Sequence, residues 1–168
     1  QEIDLPFAVA GLIPSFVRED KFEILVAAGM NRVRMGVQSG SDKILEFYKR
    51  PNKPGLIHNA ASIISKFKNY MIPPIYDIIL DNPIEDKQDV LDTLHLLYNM
   101  PRPFTLQIFS LRVIKNSVLE KQFLERKIKA ADIASNYTHH APTLANLLVY
   151  LLAICKPPRT VFEYLIKF

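Results

Sequence analysis

The chain has 168 residues, 49% of them apolar and 23% charged, enough to bury a core and too apolar for a disordered chain. Its 21 lysines and arginines against 17 acids leave a formal charge of +4, and the basic residues are scattered, without the clustered, aromatic-interleaved run that marks a nucleic-acid surface. A single cysteine excludes an internal disulfide, and the longest apolar stretch, 144–154, is about half of what spans a bilayer.

No signal-peptide pattern opens the sequence, so a cytoplasmic protein with no membrane partner and no evident nucleic-acid partner is expected. The first residue is Gln1 with no methionine before it, and the chain is expected to begin inside a larger reading frame.

Short β-rich runs at 6–10, 32–38, 74–80 and 105–111 alternate with segments of helical periodicity, the pattern of βα units around a parallel sheet. After the first run, "REDKFEILVAAG" puts Phe22, Leu25 and Val26 on one face, opens with acids and stops at Gly29. After the second, "SDKILEFYKR" predicts a short helix capped by Ser41 or Asp42, carrying Arg50 at its end and closed by Pro51. A longer helix over 55–70 leads to the third strand. "DKQDVLDTLHLLYNM" predicts another, with Val90, Leu94 and Leu97 in register, before Pro101 and Pro103 break it. Beyond Val118 the periodicity stays helical, and Pro142, Pro157 and Pro158 divide it. The expected class is α/β: parallel βα units over 1–123 forming part of a (β/α) barrel, half to partial TIM-like, and a helical C-terminal extension over 124–168.

Strand periodicity then sorts the polar residues. In "RVRMGVQ" Val33, Met35 and Val37 share one face, and Arg34, Gly36 and Gln38 share the other. In "PIYDIIL" Asp77 lies with Ile75 and Ile79, and burying its carboxylate among isoleucines requires a partner. Gln107 takes a comparable place in the fourth strand. Two readings fit these residue types. In one, Arg34 and Asp77 form a structural ion pair, with Gln38 and Gln107 filling its remaining hydrogen bonds. In the other, Gln38, Asp77 and a cation near Arg50 line a polar ligand site at the C-terminal ends of the strands. An amide beside a carboxylate suits a vicinal diol, and an arginine can clamp a carboxylate bidentately.

"GVQSGSDKILEFYKRP" resembles the fourth-strand segment of radical S-adenosylmethionine (radical SAM) enzymes, especially the members with an N-terminal cobalamin-binding domain. "YDIILDNPIEDKQDVLDTLHLL" is similar to their fifth strand and following helix. "LPFAVAGLIPSFVREDKFEILVAAGMNRVRMG" looks like their third strand and helix, and "FTLQIFSLRVIKNSVLEKQF" like their sixth, with Asn116-Ser117 where Gly-Thr is usual. The resemblance covers about 5–123. It implies that Gln38 touches the ribose or methionine part of S-adenosylmethionine, that Ser39 lies beside it, that Arg50 meets the methionine carboxylate and that Asp77 meets the ribose hydroxyls. Asp81 departs from the glycine common after the fifth-strand apolar run.

The family also implies a 4Fe–4S cluster held by a Cys-x3-Cys-x2-Cys loop after the first strand. This chain has only Cys155, in an apolar helical stretch, so the cluster ligands are expected upstream, in an N-terminal barrel half joined in cis. The parent protein would cleave S-adenosylmethionine reductively to start radical chemistry, with cobalamin assistance if the cobalamin domain is present, on an unidentified small-molecule substrate. The alternative is a cluster-free scaffold that binds a nucleotide-like ligand or a partner chain without catalysis. No catalytic residue and no metal ligand is assigned within the chain. His139-His140 with Asp132 could suggest a metal site, but adjacent histidines on one segment point in different directions and no further ligand is evident.

Overall fold

A computed structural model describes residues 5–50, 52–128 and 143–167. Four strands, β1 (Phe7–Leu12), β2 (Met30–Gln38), β3 (Ile75–Leu80) and β4 (Thr105–Ser110), form one parallel sheet in the order β1-β2-β3-β4. Each neighbouring pair is joined through helix: α1 (Glu19–Ala27), then α2 (Asp42–Phe47) and α3 (Pro54–Lys66), then α4 (Lys87–Asn99). Sequential parallel strands with helical crossovers of one hand keep those helices on one side of the sheet. The α/β class and the four predicted strands are as the alternation implies.

The burial pattern identifies the covered side. Val33, Met35 and Val37 of β2, Tyr76, Ile78 and Leu80 of β3, and Leu106 and Ile108 of β4 are buried beneath Phe22 of α1, Ile57, Ala60, Ala61 and Ile64 of α3, and Leu94 and Leu97 of α4. The alternate residues, Arg34, Gln38, Asp77 and Gln107, lie half-buried on the opposite, open face. The core is therefore one-sided, and the polar positions all fall on the side without helices.

Beyond β4, α5 (Val118–Glu125) buries Phe123, α6 (Leu144–Cys155) packs against α4 and β4, and α7 (Arg159–Leu165) buries Phe162. Phe162 stacks on Tyr98 with ring centroids 4.2 Å apart and meets His95 edge-on at 5.4 Å. Arg102 donates to the carbonyls of Ile154 and Ala153, satisfying the C-terminal end of α6.

The second helix is shorter than its sequence implies. α2 ends at Phe47, three residues before Arg50. Lys49 enters the left-handed region at φ 53, its N–H bonds the Glu46 carbonyl at 2.8 Å, and the Arg50 N–H bonds that of Leu45 at 2.9 Å. This pair of bonds is the Schellman closure, made here with lysine where glycine is usual. The helix is stopped by that turn; Pro51 lies outside the described residues, as do Asp132, His139, His140 and Pro142.

Candidate ligand-binding site

β2 and β3 run in register from Arg34–Ile75 to Gly36–Asp77, then slip, so that Gln38 rather than Val37 meets Ile78. The extra residue is a bulge at the C-terminal end of β2. Gln38 adopts φ 71 there, a left-handed conformation that costs a non-glycine residue about 1–2 kcal/mol. Its side chain folds back over Gly36: a Cβ added at Gly36 would lie 2.5 Å from Nε2 of Gln38. Gly36 is thus the space into which the amide fits, and its partner across the ladder is Asp77. Amide and carboxylate become neighbours on the open face.

Asp77 is met from the level below. Nε of Arg34 donates to Oδ1 at 2.9 Å and Oδ2 at 2.8 Å, and the guanidinium lies 5.6 Å from the Phe109 ring centroid. Gln107 pairs with Asp77 across the β3–β4 ladder. The ion pair of the structural reading therefore forms. Neither Gln38 nor Gln107 joins it, because among the described residues their amides make no hydrogen bond. A structural network would use those amides; here they remain presented on the open face.

Ser39 is elsewhere. Its hydroxyl is fully buried, 3.1 Å from that of Thr93 on α4, and it accepts the Ser41 N–H. Gly40 donates its N–H to Thr93, and a Cβ at Gly40 would stand 2.6 Å from both the Asp92 carbonyl oxygen and Thr93 Cα. Ser41 caps α2 and donates to Asp89, which also accepts from Lys43 at 2.5 Å and forms the capping box of α4 with Asp86. Burial raises the Asp89 carboxyl, but hydrogen bonds from the Asp86 backbone, Lys43 and Ser41 outweigh it and hold Asp89 below the usual carboxylate range. The Ser-Gly-Ser turn is thus locked against α4, which fixes the direction in which β2 releases Gln38.

Arg50 is exposed beyond the α2 turn, and its side chain makes no hydrogen bond among the described residues. It lines a concavity with Lys49, Asn52 and Lys53 whose wall includes neither Gln38 nor Asp77. The structure brings Gln38 and Asp77 together and leaves Arg50 in a separate recess. The end of α2 nevertheless reaches the loop after β3, where Nδ2 of Asn82 donates to the Tyr48 hydroxyl at 3.1 Å.

That loop carries residues whose part the sequence did not reveal. Asp81 follows β3 at φ 58, the conformation for which glycine is common, and its carboxylate accepts from Ser110 of β4 and from Asn146 of α6. Oε1 of Glu85 is buried without a hydrogen-bond partner. Burial first, then the charges of Asp89 and Asp81, push the Glu85 carboxyl up to about 7. Burial, followed by the charge of Glu85, also pushes the Tyr48 phenol above its ordinary range. A carboxyl within a short loop gives no sequence sign of such burial; here it lines a concavity with residues of α4 and α6.

Among the described residues no helix is long and apolar enough to cross a membrane, and no group of His, Cys, Asp and Glu could hold a metal ion. Cys155 is exposed at the end of α6.

No protein-family model matches the chain, and no curated protein matches it in sequence. Its fold does match solved structures. Coproporphyrinogen III oxidase (HemN) from Escherichia coli, a radical SAM enzyme, superposes with a TM-score of 0.61 over 91% of this chain and 32% of that one, at 21% identity. The sheet resembles part of a radical SAM barrel. The archaeal Elp3 of Methanocaldococcus infernus, truncated at its N-terminus, gives a TM-score of 0.55 at 18% identity, over 73% of this chain and 28% of that one. The chain thus spans about a third of the length of the structures it matches. The structural likeness to radical SAM enzymes extends over most of the chain and rests on the alternation of four parallel strands with helices.

Proposed function

We propose that this chain forms the S-adenosylmethionine-binding strands of a radical SAM barrel. The observation that carries the reading is the placement of the free Gln38 amide over Gly36, the cross-strand neighbour of Asp77, on the open face, through a strained bulge and a glycine that leaves room for the amide. Backbone strain of this kind concentrates at ligand sites, and a carboxylate next to a free amide suits the two hydroxyls of a ribose. Arg50 and its neighbouring lysines supply positive charge for a carboxylate.

The residues present fit the nucleoside but not the metal cluster. Three thiolates are required, and the sequence contains one cysteine, at the far end of α6. No step through a cluster is therefore assigned to this chain. Its own residues bind and orient: Asp77 accepts from the ribose, Gln38 donates or accepts beside it, and Arg50 neutralises the carboxylate. Reductive cleavage belongs to the proposal only for a protein that supplies the thiolates, and cobalamin assistance rests on the sequence motifs alone.

A second reading, a cluster-free module that binds a nucleotide-like ligand, rests on the same free amide beside Asp77. The two share the nucleoside site. Titration of the full chain with S-adenosylhomocysteine tests it: Asp77→Ala and Arg50→Ala are each expected to weaken binding by about tenfold or more. Unchanged affinity in both variants would return Asp77 to a purely structural pair with Arg34.

A further inference from the structure

α6 is apolar on both sides. None of its 12 residues, Leu144–Cys155, is charged. At about 100° per residue, Asn146, Val149, Leu152 and Ala153 point one way and are buried, on the side that packs against α4 and β4. Leu144, Leu147, Leu148 and Leu151 point the other way and are 73%, 51%, 44% and 43% exposed, with Cys155 exposed at the end of the same stripe. A surface helix turns charged residues to water, whereas a helix that is apolar all round is buried all round. The leucine stripe therefore requires a cover.

Three properties of the stripe fit a second copy of this chain. Its leucines recur at i, i+3, i+4 and i+7, the spacing by which one helix packs into another of its own kind. The stripe offers roughly 500 Å² from each copy, so a pair would bury roughly 1,000 Å², the least that a specific interface needs. It carries no charge, so two copies meet without repulsion, and the residue that follows it sets their direction. Parallel helices would bring the two Lys156 ammonium groups together; antiparallel helices set each against the uncharged Leu144 end of the other copy. We propose that the leucine face of α6 is an antiparallel, two-fold interface between two copies of this chain. With the axis midway between Leu148 and Leu151, Leu148 of one copy meets Leu151 of the second, and Leu144 meets Cys155.

Sedimentation equilibrium of the full chain tests it. A dimer is expected, with a dissociation constant in roughly the micromolar range, and Leu148→Glu should weaken it by at least about tenfold. Thermal unfolding followed by circular dichroism shows that this variant is folded. Cysteines read the orientation independently. In the antiparallel pair the two Cys155 residues lie about 16 Å apart along the helices, too far for a disulfide, so oxidised glutathione should leave the wild type without a covalent dimer. Leu144→Cys puts a thiol opposite Cys155 of the second copy and should yield a covalent dimer under the same conditions. A full chain that stays monomeric at about 100 µM overturns the proposal and leaves the stripe to a segment of a longer protein. A dimer that a folded Leu148→Glu leaves intact overturns it as well. So does cross-linking of the wild type through Cys155 alone, or a Leu144→Cys variant that does not cross-link.

Discussion

Arg34 and Asp77 meet across β2 and β3 through one donor, the Nε–H, which straddles both carboxylate oxygens at 2.9 and 2.8 Å. Each oxygen has two lone pairs, so the arginine occupies one on each and leaves one on each for a diol. Ion pair and ligand are therefore compatible, and their contributions separate by mutation. Asp77→Ala leaves the half-exposed guanidinium without its partner and is expected to cost about 1–2 kcal/mol in denaturant unfolding. The double variant Arg34→Met/Asp77→Leu removes both charges and should recover stability to within about 1 kcal/mol of wild type. It should not recover nucleoside binding. Recovery of both would leave Asp77 without a ligand role.

Gly36 tests the site from its floor. A methyl group there meets only the far end of the Gln38 side chain, which can swing away, so Gly36→Ala should change stability by less than about 1 kcal/mol. The amide, however, loses its place above the strand. Nucleoside affinity should fall by about tenfold, read by calorimetric titration beside an unfolding curve. A loss of stability as large as the loss of binding would mean that the glycine serves the sheet and not the amide.

Gly40 is the opposite case. The atoms that its Cβ would meet, the Asp92 carbonyl oxygen and Thr93 Cα, belong to the backbone of α4 and cannot turn aside. Gly40→Ala should push the Ser-Gly-Ser turn off α4 and break the Thr93 hydrogen bond, at a cost of about 2–4 kcal/mol. Thermal unfolding of the two alanine variants side by side checks this. The order of stability, Gly36→Ala above Gly40→Ala, is the expected outcome, and the reverse order would refute the packing of the turn.

What the sequence made legible follows from periodicity. Two-residue alternation placed Val33, Met35 and Val37 under the helices and Arg34, Gln38 and Asp77 on the open face, because a pleat leaves no other choice once one face is buried. The need of Asp77 for a partner was legible for the same reason. The bulge at Gln38 was not, since one extra residue in a strand changes no pattern of residue types. Nor was the early end of α2, where Lys49 takes a conformation that composition would assign to glycine. Ser39 is placed beside the ligand by the family resemblance of its segment. Its hydroxyl is instead spent on Thr93, a contact made across 54 residues that only the packing of α4 reveals.

Glu85 gives the last prediction through its pH dependence. Burial and the charges of Asp89 and Asp81 raise its carboxyl from 4.5 to about 7. A carboxyl with a folded-state value above its unfolded one binds more protons when folded, so the associated stability is complete below about pH 4.5 and is lost as the pH rises through about 7. Asp89, held low by its hydrogen bonds, acts in the other direction: its contribution is present above the ordinary carboxylate range and is lost in acid. Glu85→Gln keeps the shape and removes the ionisation. It is expected to raise stability at pH 8 by roughly 1–2 kcal/mol after allowance for partial exposure, and to leave stability at pH 4 nearly unchanged. Urea unfolding at the two pH values measures the difference. An equal effect at both would place the Glu85 carboxylate in solvent.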